Sequence, residues 1–273
     1  LSIVSTESYV HTILLRPLPR FKMGWPDAYV QMNERRGFLA LTGVIATSGL
    51  VGCASSHTTS SNGAGVCAAF DKSRQDSVTP DQALQMLQEG NARFTSGRSV
   101  NCDLLAQVKA TAEGQAPFAA VVGCIDSRVP PELVFDQQIG DIFAARIAGN
   151  FVNTDIVGSL EFATKLAGAK LIVVLGHTEC GAVKGAVDDA KLGNLSATLA
   201  NIRPSVIKIK SIEGPQTSKN KKLVQAVADQ NAKDAAEMLT AQSEVLRDLI
   251  AAGKLKIVSA MHDVATGKIT WFT

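Results

Sequence analysis

The sequence predicts an α/β fold built around an open, mostly parallel sheet. Short, continuously apolar runs of strand type occur at Phe118–Gly123, Ile142–Arg146, Leu171–Gly176, Leu255–Ala260 and Ile269–Phe272, and such runs suit strands covered on both faces. Helix-like stretches separate them at Thr154–Ala167, Gly181–Lys191 and Leu223–Ala251, the alternation expected when helical crossovers join parallel strands. Two of the runs end in chemically loaded segments. Phe118–Gly123 leads into Cys124-Ile125-Asp126-Ser127-Arg128, and Leu171–Gly176 leads into His177-Thr178-Glu179-Cys180-Gly181. In open α/β sheets functional groups gather just beyond the carboxyl ends of the strands, where the loops converge.

Composition agrees with one globular body. Of 273 residues, 46% are hydrophobic and only 19% charged, enough apolar material for a large core and far from a disordered composition. The formal net charge is +2 and the Lys and Arg residues are dispersed, so the broad basic footprint of a nucleic-acid-binding protein is absent. The body is expected over residues 78–273. It opens with a helix that has Thr79 as N-cap and Pro80 at its first position, followed by Ala83, Leu84, Leu87 and Phe94 at near-helical spacing.

The first 77 residues read as an address and a tether. From Met32 the chain carries a paired arginine at Arg35-Arg36, an apolar run from Phe38 to Val51, and small residues ending in Leu50-Val51-Gly52-Cys53. The run is shorter than the roughly 20 residues of a membrane-spanning helix, so residues 32–53 read as a signal peptide. The Arg pair resembles a bacterial twin-arginine export signal. The segment before Cys53 resembles a lipobox, with Cys53 acylated as the new N-terminus. Residues 1–31 are then a non-native upstream extension. Residues 54–77, rich in Ser, Gly and Thr near Cys53, form a flexible tether. The expected location is the bacterial periplasm or cell envelope, lipid-anchored. Ala54 and Ser55 lack an acidic inner-membrane retention signal, which favours the outer membrane.

Cys124, His177 and Cys180 have the chemistry of a catalytic zinc site. Zinc favours thiolate and imidazole donors in a tetrahedron, and a catalytic ion leaves one position to water or substrate. His177 and Cys180 stand three apart at a strand-to-helix junction, and an adjacent strand delivers Cys124. The ion lowers the pKa of bound water towards neutrality, so that hydroxide becomes available. Asp126 and Arg128 are spaced for an ion pair that keeps the carboxylate charged and able to orient that hydroxide. Were the pair to break, Asp126 could swing onto the metal and block it.

These residues resemble the signature of the β-class carbonic anhydrases, a Cys-x-Asp-Ser-Arg segment paired with a later His-x-x-Cys-Gly. The similarity extends from about Pro80 to Thr273, through Val129-Pro130-Pro131-Glu132, Ala148-Gly149-Asn150 and Asp263-Val264-Ala265-Thr266-Gly267-Lys268. It implies a sheet of about four parallel strands plus an antiparallel edge strand, flanked by helices. It also implies reversible hydration of CO2 to bicarbonate and a proton through a zinc-bound hydroxide, with one zinc per chain on Cys124, His177 and Cys180 and with Asp126 and Arg128 as the catalytic dyad. Carried over likewise are substrate contacts from Gln115, Ser127 and Gly181, and an apolar pocket of Phe143, Ala148 and Phe162. A homodimer or higher homo-oligomer is implied, with that pocket at the subunit boundary. The same scaffold leaves open a CS2 or COS hydrolase, or a surface lipoprotein that uses zinc only to fold. His262 is expected near the surface, and Cys67 with Cys102 is a candidate disulfide in an oxidising compartment.

Overall fold

The computed structural model describes residues 67–209 and 212–272. The export signal, Cys53 and the first part of the tether lie outside the described residues. Five strands form one sheet: β1 (Ala119–Gly123), β2 (Ile142–Arg146), β3 (Leu171–His177), β4 (Lys256–His262) and β5 (Ile269–Phe272). Their order is β2-β1-β3-β4-β5. The first four run parallel and β5 pairs antiparallel with β4, as expected.

Strands β1 and β3 are buried at every residue, which explains their unbroken apolar character. Alternate side chains serve two cores. Ala119, Val121, Leu171, Val173 and Leu175 face a cluster with Leu87 and Phe135. Ala120, Val122, Ile172 and Val174 face the opposite one, with Leu160, Ala232, Ala235 and Leu246.

The helices follow from local signals and tertiary demands together. The described segment begins with α1 (Lys72–Ser77), then α2 (Pro80–Thr95), where Thr79 and Gln82 form a reciprocal capping box that satisfies two otherwise orphaned amides. After α3 (Leu104–Ala110) and the single turn α4 (Pro131–Val134) comes α5 (Thr154–Glu161), which runs on into a π-turn at Phe162–Leu166. Next are α6 (Gly181–Val187), α7 (Leu195–Ala200), α8 (Arg203–Lys208), α9 (Lys221–Gln242) and α10 (Glu244–Ala251). The expected single helix over 223–251 is therefore two. Ser243 has extended backbone, caps α10 by accepting from Leu246 N, and donates its hydroxyl to Glu161 Oε1 at 2.5 Å. A part-buried Ser–Glu contact at the joint outweighs helix propensity there.

The tether assignment needs correction at its C-terminal end. Residues 67–77 belong to the body. Cys67 is disulfide-bonded to Cys102, Phe70 packs on Phe118 with ring centroids 5.0 Å apart, and Gln75 is fully buried. The Gln75 amide donates to Pro117 O at 2.7 Å and Ala167 O at 2.8 Å, supplying two loop carbonyls with a partner they need once buried. Gly168, at φ +87°, makes room for it, since a Cβ there would lie 2.7 Å from Gln75 Oε1. Polar composition concealed this anchoring role.

Candidate metal centre

The parallel pairing of β1 with β3 brings their carboxyl ends side by side, so Cys124 follows one strand while His177 ends the other. Glu179 then adopts φ +57°, a left-handed conformation uncommon for a non-glycine residue. The tight turn returns Cys180 beside His177 at the start of α6. One donor atom from each of Cys124, His177 and Cys180 lies within 4.8 Å of the other two, and all three residues are buried.

Each donor is prepared by its surroundings. His177 is wholly buried and its Nδ1 sits 2.9 Å from Thr178 O. An Nδ1–H donating to that carbonyl leaves the Nε2 lone pair for a metal. Nε2 has no hydrogen-bond partner, a costly condition for a buried polar atom that a bound ion relieves. The Cys124 thiol is pushed well below its ordinary value, first by a hydrogen bond from Cys180 and further by the backbone amides of Gly149 and Asp126. Cys180 is pushed up because it keeps the proton shared with Cys124 and because it is buried. A bound cation would compensate the charge of a second thiolate. Two cysteines and one histidine are a soft donor set that suits zinc, and the residues fit one such ion.

Asp126 stands at the mouth of this cluster. Arg128 grips it through two parallel hydrogen bonds, Nε to Oδ1 at 2.9 Å and Nη2 to Oδ2 at 2.7 Å. The guanidinium holds the Asp126 carboxyl well below the usual carboxylate range. Oδ2 lies 3.9 Å from His177 Nε2, so the carboxylate edge faces the place where the metal is expected. Arg146, which sequence reasoning passed over, ties the loop down by donating to Cys124 O at 2.8 Å and Asp126 O at 2.6 Å. Its only sequence signal is a cation ending an apolar strand.

The remaining expected site residues divide. Ser127 is exposed in the turn between Asp126 and Arg128, and Gly181 is exposed beside Cys180, where an added Cβ would meet nothing within 4 Å. Phe143 and Phe162 do meet, edge to face with centroids 6.3 Å apart. They line a cavity of about 860 Å³ between β2 and α5 that includes none of the three metal-ligating candidates. Ala148, in the loop after β2, is half-buried and does not line that cavity. Gln115 is exposed and precedes β1. Because β1 puts roughly 13 Å between its own ends, Gln115 takes no part in the Cys124 cluster of the same chain. His262 corrects its expectation: it is buried, registered beside His177 on β4, and neither ring nitrogen has a partner. Trp271 packs on Phe135 at 5.9 Å.

Comparison with known proteins places this geometry. The carbonic anhydrase family matches over residues 119–269, the stretch holding the four parallel strands β1 to β4 and the whole donor set. Carbonic anhydrase 2 of Mycobacterium tuberculosis is 34% identical over 197 residues, covering 70% of this chain and 92% of that one. A carbonic anhydrase of Mycolicibacterium smegmatis is 32% identical over 196 residues with the same coverages. Among solved structures, a β-carbonic anhydrase of Aspergillus fumigatus superimposes with a TM-score of 0.55 at 25% identity, covering 70% of this chain and 89% of that one. A tetrameric β-carbonic anhydrase of Sordaria macrospora gives 0.52 at 27%, covering 60% and 84%. With its sheet order, its Cys-His-Cys donors and these likenesses in agreement, the chain belongs to the β-class carbonic anhydrase family.

Proposed function

We propose that this chain hydrates CO2 reversibly to bicarbonate and a proton at Cys124, His177 and Cys180, with Asp126 and Arg128 as the dyad. The observation that carries the reading is the bidentate Arg128–Asp126 pair beside three buried donors, an arrangement a purely structural metal would not require. Zinc, when bound, supplies Lewis acidity that brings the pKa of a coordinated water towards neutrality.

The chain's own residues do the rest. Asp126 stays ionised because Arg128 donates two hydrogen bonds to it, and it accepts a hydrogen bond from the attacking water species, fixing where its lone pair points. With so low a pKa it is a poor proton carrier, so the proton leaves to solvent buffer. The open space beside Gly181 and the exposed Ser127 leave small, polar surroundings for substrate. Stopped-flow CO2 hydration with parallel zinc analysis tests the reading. It expects fast hydration and about one zinc per chain; tightly bound zinc without hydration would defeat it.

Assembly and location belong to the same proposal. The chain forms a homo-oligomer, as the Sordaria relative does. Among the described residues β2 has no neighbour on its outer edge, and Phe162 and Leu166 beside it are strongly exposed. Such a face invites a second copy. In that assembly Gln115 contributes to a neighbouring subunit's centre, since it does not reach its own. Export and lipid attachment at Cys53 are supported by the Cys67–Cys102 disulfide, a bond suited to oxidising compartments. Light scattering reads the oligomer. Loss of membrane association in Cys53→Ala reads the anchor.

A further inference from the structure

Beyond the dyad and the donors, one buried amide is aimed at the metal centre from a distant part of the chain. Asn231 lies in the middle of α9 at 2% exposure, on a face otherwise made of Val227, Ala228, Ala232 and Ala235. These small residues let the helix lie close to the sheet; the Cβ of Ala232 is 3.3 Å from where a Cβ on Gly176 would be. A polar side chain in such a face costs free energy unless it is hydrogen-bonded. Asn231 Nδ2 donates to Gly149 O at 2.8 Å.

Gly149 is the connection to the metal ligands. Its own N–H donates to Cys124 Sγ at 3.3 Å. The Asn150 N to Ile147 O bond of 3.0 Å closes a turn with Gly149 in its third place at φ +85°, a conformation that favours glycine. The fit is tight on the other side too. A Cβ on Gly149 would lie 2.4 Å from Ile202 Cδ1 and 3.2 Å from Ala182 Cβ. One residue thus presents its amide to a sulfur and its carbonyl to Asn231.

We propose that Asn231 is a positioning residue for the metal centre, holding the Ile147–Asn150 turn so that the Gly149 amide stays on Cys124 Sγ. Without Asn231 the Gly149 carbonyl is left unpaired among apolar side chains, and the turn is free to rotate towards another partner. An N–H donor on a thiolate ligand sets its orientation and the charge it offers the metal, and losing such outer partners typically costs about 10- to 100-fold in metal affinity. The inference rests on Cys124 being a metal ligand.

The test uses the full chain, zinc-loaded, with Asn231→Asp and Asn231→Leu. Zinc affinity is read by chelator competition, and the thiolate-to-metal charge-transfer band is read after cobalt substitution. Both variants are expected to bind zinc about 10- to 100-fold more weakly and to shift that band. Asn91→Asp is the control. Asn91 is another buried asparagine, bonded to Val134 O, Gly267 O and Ile269 N away from the cluster, and its loss should lower stability while leaving affinity and spectrum unchanged. Folded Asn231 variants with parental affinity and spectrum overturn the proposal. Should neither variant fold, the cadmium-substituted parent decides by NMR. A scalar coupling between cadmium and the Gly149 amide proton through Cys124 sulfur supports the proposal, and its absence overturns it. A parent that binds no zinc defeats the metal-centre reading itself, whereas a tight-binding parent with unaffected variants defeats only the role of Asn231.

Discussion

Two cysteine pairs in this chain have opposite chemistry. Cys67 and Cys102 are joined, with Cα atoms 5.4 Å apart. Cys124 and Cys180 also approach closely, within the 4.8 Å of the donor cluster, yet both stay free. Sulfur is the same in each. At the second pair an imidazole nitrogen shares the cluster, and backbone amides of Gly149, Asp126, Ala182 and Val183 point at the thiols. At the first pair the neighbourhood is a loop and a helix start, with Gln107 donating to Cys67 O and no second ligand among the described residues. One pair fastens the N-terminal segment beneath β1; the other offers ligands beyond its far end. Donors and a third ligand, more than proximity, separate a staple from a metal site.

The largest effect expected is at the second pair. Cys124→Ser should remove zinc and lower CO2 hydration by about 1,000-fold or more, since the Lewis-acid contribution is worth several kcal/mol. Metal analysis and stopped-flow rates check both. At the first pair, Cys67→Ser should leave zinc content intact and instead lower stability by about 4 kcal/mol, from the entropy released when a closed segment of 35 residues is opened. Denaturant melts with and without reductant measure it. If reduction strips zinc as well, the two pairs are not the separate devices described here.

Asp126→Ala should keep zinc while losing about 100-fold in hydration, the cost typical of a misoriented reacting group, which separates holding the metal from using it. In Arg128→Ala the Asp126 carboxyl rises towards its ordinary range because its hydrogen-bonding cation is gone. The acid limb of the kcat/KM profile should then move to higher pH, where that carboxyl protonates. The smallest effect concerns Asp141, whose carboxyl burial pushes up and whose Oδ1 has no partner. The folded chain keeps that proton at pH values where the unfolded chain has lost it. Stability therefore falls as pH rises from the unfolded pKa through the folded one, and Asp141→Asn should lack that decline in melts across mildly acid pH.

Much of the fold and the centre was legible in residue order, and the reasons are local. Buried parallel strands must be continuously apolar, so the runs at Phe118, Ile142, Leu171, Leu255 and Ile269 stood out to within two residues of their observed ends. Thr79 and Pro80 announced α2 by capping chemistry alone. The donor set was readable because His177 and Cys180 share one turn and Cys124 follows a strand that had to pair nearby, and Asp126 meets Arg128 two residues on. Packing across long separations decided the rest. Gln75 reads as polar tether until its amide meets carbonyls 42 and 92 residues away. Gln115 stands nine residues before Cys124, yet β1 carries the two to opposite ends of the sheet within one chain, and Ser243 breaks a helix where its hydroxyl meets Glu161. Asn231 reaches Gly149 across 82 residues. Apolar period and short motifs are properties of neighbours along the chain, whereas burial of a polar group gains meaning only when the fold supplies its partner.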